Sequence, residues 1–270
     1  MGSEMENWIC DKIKQADLVL VGIGEEFSDL KHAPEKKAYQ EIRESLMASG
    51  NAWMLPALNS FWSGGNDSRA YQGLCMLAER LSDKNYFVVS VAVNEAVALV
   101  PWKEHRLTTP CGSENKKQCS GGCSDVLPEV TEKDKDTLTQ YFEESKQAAD
   151  KAKEFPKWIE GSLGVCPHCG KPFILNNIYA QNYNENGYLE SWQRYTKWLQ
   201  GTLNRNLLIL ELGVGMQFPS VIRWPFEKIA FFQKKSELYR VNEKLYQLSE
   251  ELGGKAYSIS KNAIDWLLHL

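Results

Sequence analysis

An α/β protein built on a Rossmann-like parallel sheet, with a smaller zinc-binding module inserted in it, is the architecture this sequence predicts. Three observations carry that expectation. Two apolar stretches, Asp17-Leu18-Val19-Leu20-Val21-Gly22-Ile23-Gly24 and Asn206-Leu207-Leu208-Ile209-Leu210-Glu211-Leu212-Gly213-Val214-Gly215-Met216, each close on Gly-x-Gly. Runs of this kind are buried parallel strands feeding a turn at the ligand edge of a sheet. Third, two close cysteine pairs, Cys119 with Cys123 and Cys166 with Cys169, interrupt the chain between those strands.

The chain has 270 residues, enough for one large α/β core and an inserted module. The expected division is a discontinuous Rossmann-like domain over 1–104 and 172–270, with the module over 105–171. Hydrophobic residues make up 43% and charged residues 24%, the balance of a globular protein. No apolar run approaches the ~20 residues that span a bilayer, so no membrane segment is expected. A net charge of −4 and a pI near 5.7, without a Lys/Arg stripe, argue against a nucleic-acid partner. A nucleotide-like small molecule or a protein partner is the expectation. Met1-Gly2-Ser3-Glu4 is polar and acidic, so no secretory signal is expected and a cytoplasmic location follows by default.

In chain order, residues 5–16 read as a helix leading into the first strand. That strand ends at Gly22 and Gly24, where glycine lets a phosphate approach the backbone; Glu25 and Glu26 follow at once and would repel it. Helices are expected at about 35–48, 51–61 and 68–82, broken by Ser49-Gly50 and Ser63-Gly64-Gly65-Asn66. Their aromatics, Trp53, Phe61, Trp62 and Tyr71, suit a core or a cover over a cleft. Lys84 to Glu95 holds a β-branched run and reads as a second central strand.

Within the module, a charged helix from about Thr131 to Lys153 reads as a solvated face. A helix over about 186–201 carries Trp192, Tyr195 and Trp198 on one side. The second Gly-x-Gly strand follows, then a helix opened by Phe218-Pro219, strands at about 237–242 and 255–259, and a last helix from Asn262.

The cysteines carry the most specific signal. A four-coordinate Zn²⁺ needs soft ligands at tetrahedral corners, and two short turns closed by Ser120-Gly121-Gly122 and Gly170 supply two thiolates each. Two disulfides, or four unrelated thiols, are the rival readings, and nothing else in the chain points to an oxidising compartment. Four thiolates leave no position for water or substrate, so the ion is structural.

With the Gly22–Gly24 turn, the cysteine module and Asn206 to Met216 in this order, the chain resembles the sirtuin family over nearly its whole length. The second half resembles in particular the bacterial branch that ADP-ribosylates protein. The resemblance implies zinc as cofactor, with NAD or a related nucleotide in a cleft lined by Gly22, Gly24, Gly213, Gly215, Asn242 and Asn262. It also implies altered chemistry. The family's Gly-Ala-Gly-x-Ser corresponds to Gly22-Ile23-Gly24-Glu25-Glu26, with no Asp-Phe-Arg after it. Its Thr-Gln-Asn-Ile-Asp corresponds to Ser90-Val91-Ala92-Val93-Asn94, and its catalytic histidine falls on Cys111. Cys111 and Asn94 therefore stand at catalytic positions.

An unshifted thiol is mostly protonated at neutral pH and a poor base, and alanine at 92 cannot orient a ribose. The expectation is a sirtuin-like protein whose usual NAD-dependent deacylation is lost or altered. Two alternatives stay open: an active deacylase or ADP-ribosyltransferase with a rearranged site, and thiol chemistry at Cys111 aided by His105 or Arg106.

Overall fold

The structure, a computed structural model, describes residues 2–28, 36–147 and 161–270. Helix α1 (Gly2–Gln15) leads into β1 (Leu18–Ile23). Helices α2 (Lys36–Ala48), α3 (Leu55–Ser63) and α4 (Arg69–Arg80) precede β2 (Asn85–Ser90) and the short α5 (Glu95–Leu99). Strands β3 (Leu107–Thr108) and β4 (Gly112–Cys119), helix α6 (Glu132–Gln147) and β5 (Phe173–Asn177) follow. The chain ends with α7 (Leu189–Gln200), β6 (Leu207–Leu212), α8 (Arg223–Phe232), β7 (Ser236–Val241), β8 (Ala256–Ile259) and α9 (Ala263–Leu267).

Six strands form one parallel sheet in the order β3-β2-β1-β6-β7-β8. The order reverses between β1 and β6, the kind of switch point at which α/β sheets bind ligands. Both faces are covered, which is why the central strands β1 and β6 read as near-continuous apolar runs, interrupted in β6 by the buried Glu211. On one face Val19, Val21 and Ile23 meet Ile9, Ile13, Leu74, Leu77 and Ile264; on the other Leu18 and Leu20 meet Tyr195, Ile222 and Phe226. Gly22 serves this packing: a Cβ there would fall 2.5 Å from Ile222 and 2.7 Å from Phe226.

A third core joins α2 and α3 to α6 and β5, through Ile42, Leu46, Trp53, Leu58, Leu138, Phe142 and Leu175. Helix α6 therefore has a buried face as well as the solvated one expected of it; residues 148–153 of the expected helix lie outside the described residues. The smaller body is thus built from two separate stretches of chain. The stretch expected as the module, 105–171, lends β3 to the large sheet, while the antiparallel β4–β5 pair reaches to Asn177.

Strands β4 and β5 show no apolar run in the sequence because most of their buried positions, Lys117, Gln118, Asn176 and Asn177, are polar. Lys117 is buried and bonds Asp134 at 2.7 Å and the Leu163 carbonyl at 3.1 Å. The Asn177 amide donates to the Trp53 carbonyl at 2.8 Å. Among the described residues, no helix is long and apolar enough to cross a membrane.

Where α3, α5, β4 and α6 meet, a cavity of about 210 Å³ is lined by Ser60, Phe61, Glu95, Glu114, Lys135 and Phe142. Ser60 donates to Glu114 at 2.6 Å, and Lys135 pairs with Glu95 at 3.3 Å. Burial pushes the Glu114 carboxyl up to about 8, with the Glu95 charge adding and the Ser60 bond opposing. A raised acid favours the folded protein while it keeps its proton. That contribution is complete below the ordinary carboxyl range and is lost as pH rises through about 8. Thermal unfolding of wild type should therefore fall by several degrees, by about 2–4 °C for each kcal/mol, between pH 5 and pH 8.5. Glu114→Gln should flatten that slope, and an unchanged slope would remove Glu114 as its source.

Candidate functional site

The C-terminal ends of β1, β6 and β7 converge at the two glycine turns. Gly24 donates to the Leu212 carbonyl at 2.8 Å, and Glu26 N–H donates to the Gly213 carbonyl at 3.1 Å. The turns lie backbone to backbone: a Cβ on Gly24 would stand 2.2 Å from the Val214 Cα. Gly213, with φ at +61°, occupies the left-handed region that favours glycine.

Glu25 and Glu26 turn down onto this edge from the 3₁₀ turn after β1. The Glu25 carboxylate accepts from Gly215 N–H at 2.6 Å and Gln217 N–H at 3.2 Å. The Glu26 carboxylate accepts from Glu243 N–H and Ala263 N–H, both at 2.8 Å. The two acids are thus bound by backbone amides contributed by segments after β6, β7 and β8.

At the far end of the smaller body the sulfurs of Cys119, Cys123, Cys166 and Cys169 lie within 4.8 Å of one another. Cys123 and Cys169 are 3.2 Å apart, and Cys119 and Cys123 3.5 Å. A tetrahedral ion with bonds of about 2.3 Å spaces its ligands at roughly 3.8 Å, so the set fits one. Gly122 and Gly170, at φ of +63° and +70°, make the tight turns that bring each pair together. The four cysteines can hold a metal ion.

No protein-family model matches the chain. A curated relative from Fusarium oxysporum f. sp. cubense, described as a probable bifunctional ADP-ribose hydrolase/ADP-ribosyltransferase, is 28% identical over 131 residues. The match covers 47% of this chain and only 20% of that relative. Among solved structures, Sir2Tm bound to a propionylated peptide superposes with a TM-score of 0.55 at 12% identity, over 98% of this chain and 96% of that one. A Sir2 mutant with a p53 peptide and NAD gives 0.54 at 12% identity, over 97% and 95%. This is a divergent, sirtuin-like fold.

At this sheet edge the expected residues are largely engaged with the protein itself. Asn94 caps α5 by accepting from Val97 N–H at 3.1 Å, and its amide donates to the Phe27 carbonyl at 2.6 Å. Asn242 donates to the Val214 carbonyl at 3.1 Å and accepts from Lys244 and Leu245 N–H. Asn262 accepts from Ile264 and Asp265 N–H, capping α9. Ala92 is buried in the core of one sheet face.

Cys111 is 2% exposed, packed with Val91 and Val93 in the core of the other sheet face. Burial pushes its thiol up to about 12, and the Glu25 charge adds to the shift. Neither group expected to activate it, His105 or Arg106, is among the influences on this thiol; His105 is exposed and lies 3.1 Å from Glu104. A nucleophile or general base needs the opposite environment.

Two tyrosines near this site are not singled out by the sequence. Tyr179 accepts from the Gln217 amide at 3.2 Å, and Tyr183 donates to the Pro110 carbonyl beside Cys111 at 3.0 Å. Their signal was faint, a Tyr-x-x-x-Tyr spacing just after the buried Asn176-Asn177 pair. Alkylation of Cys111 by iodoacetamide at pH 8 should run at least tenfold slower than that of free cysteine. Mass spectrometry of the labelled peptide measures this, and an equal rate would restore Cys111 as a reactive thiol.

Proposed function

We propose that this chain is a divergent sirtuin-like protein that keeps a nucleotide-type cleft and has lost the usual NAD-dependent deacylation chemistry. Cys111 carries the reading. At the position where the family resemblance places a general base there is a buried thiol beside a carboxylate, pushed up to about 12. Such a group stays protonated across neutral pH and takes no proton from a ribose hydroxyl. Ala92 supplies no polar group, and Asn94 is engaged in capping a helix. A nucleotide-like small molecule is the ligand class that the sheet edge supports, and one solved neighbour holds NAD.

Zinc is the proposed ion of the four-cysteine site, since four thiolates at tetrahedral spacing are its preferred closed set. Held there, zinc supplies cohesion rather than chemistry. A cytoplasmic location, where thiols stay reduced, accords with it.

A second reading, an active ADP-ribosyltransferase or deacylase with a rearranged site, draws on the name of the Fusarium oxysporum relative and on the Gly213 to Met216 turn. Nicotinamide release from NAD by zinc-loaded protein separates the two. The proposal expects a rate no higher than buffer, unchanged in Cys111→Ser. Turnover that disappears in Cys111→Ser would overturn it in favour of the second reading.

The metal reading has its own check. Purified protein should carry one zinc per chain by elemental analysis, and Cys166→Ser should lose most of it, with a lowered Tm. Full occupancy in that variant would count against a four-thiolate site.

A further inference from the structure

The Gly-x-Gly turns of this cleft are shaped around side chains of the chain itself. A Cβ on Gly213 would stand 2.6 Å from the Glu26 Cβ, and one on Gly215 would stand 3.2 Å from Glu25 Oε2. The room that glycine leaves in a nucleotide site for phosphate is here filled by two glutamates. The donors that face that room are filled too. Gly215 and Gln217 N–H bind one carboxylate, and Glu243 and Ala263 N–H bind the other.

We infer that Glu25 and Glu26 set the ligand class of the cleft, standing in for the acidic groups of a dinucleotide so that the intact chain excludes pyrophosphate. The inference deepens the proposed nucleotide-type cleft and rests on it. A phosphate entering this edge meets two fixed negative charges instead of free amides. In a partly desolvated cleft, like charges at contact distance repel far more strongly than in water. It also finds no free amide among these four, because charge-assisted bonds from backbone N–H to carboxylate are among the stronger ones a protein makes.

The Arg223 guanidinium is already engaged within the chain. Arg223, which lies close enough to feel Glu25, donates to the Val214 carbonyl at 3.0 Å and the Leu245 carbonyl at 2.7 Å, and lies 3.6 Å from Glu211. The cleft of the intact chain therefore suits a nucleoside, or another ligand that brings no phosphate to the β6 turn.

Calorimetric titration of ADP-ribose into zinc-loaded wild type and Glu25→Ala/Glu26→Ser tests this. Removing both carboxylates should free the four amides and tighten ADP-ribose binding at least tenfold. A smaller gain, including no binding by either protein, overturns the inference. The single variants Glu25→Ala and Glu26→Ala each keep one carboxylate on its two amides. Should the double variant fail to fold, judged by circular dichroism and zinc content, the larger gain of the two singles is held to the same tenfold criterion. Failure here is distinct from failure of the proposed function. Wild type that binds ADP-ribose as tightly as the variants but releases no nicotinamide from NAD sinks only the inference, whereas nicotinamide release sinks the proposed function.

Discussion

The approach of the two glycine turns governs the rest of this sheet edge. β1 pairs with β2 on one side and β6 on the other, so its C-terminal end cannot move without disturbing the middle of the sheet. Past that end, Gly24 donates to Leu212 and Glu26 to Gly213, which locks the backbone after β1 against the backbone after β6. Any side chain at 24 would collide with the Val214 backbone. Because that contact fixes the chain at 24, the next two residues have little choice of direction. Their side chains fall over the β6 turn, and whatever they carry decides the electrostatics of the edge.

Beneath the same turn lies a buried ion network. Arg240 on β7 clasps Glu211 on β6 with bonds of 2.6 and 2.9 Å, reaches Glu227 on α8 at 2.7 Å, and donates to the Gln247 carbonyl. Glu211 is fully buried and Arg240 nearly so. Burying such charges costs several kcal/mol apiece, which only close geometry and full hydrogen bonding offset, so the network argues for a specified arrangement more than for added stability. Its structural effect is clear. Arg223 and Asn242 both bind the Val214 carbonyl, so the turn is held from below by side chains and from above by Glu25.

Much of the fold was legible in the sequence, because burial on both faces of a parallel sheet writes itself as continuous apolar runs. The four thiolates were legible too, since short spacing within each pair is a local property. What could not be read was whatever depends on partners distant in sequence. β4 carries Glu114, Lys116, Lys117 and Gln118, and its burial is intelligible only once Asp134 and the Leu163 carbonyl are beside Lys117. The helices of 36–63 gave no sign that they share a core with α6. In the sequence the glutamates are a local obstacle to phosphate, but the amides they bind lie 190 to 237 residues further along.

The same glycines can answer to two different demands. Glycine after a parallel strand is expected wherever a phosphate must approach the backbone, and equally wherever two backbones, or a backbone and a carboxylate, must approach each other. Gly22 here makes room for Ile222 and Phe226, Gly24 for Val214, Gly213 for Glu26. All three keep the motif that a dinucleotide site shows, yet each has a steric reason within the chain. A nucleotide site in which amides wait for phosphate leaves donors to be satisfied by ligand or water. With carboxylates on the donors, the edge is satisfied by folding alone, and the glycine motif persists because the packing around it still requires it.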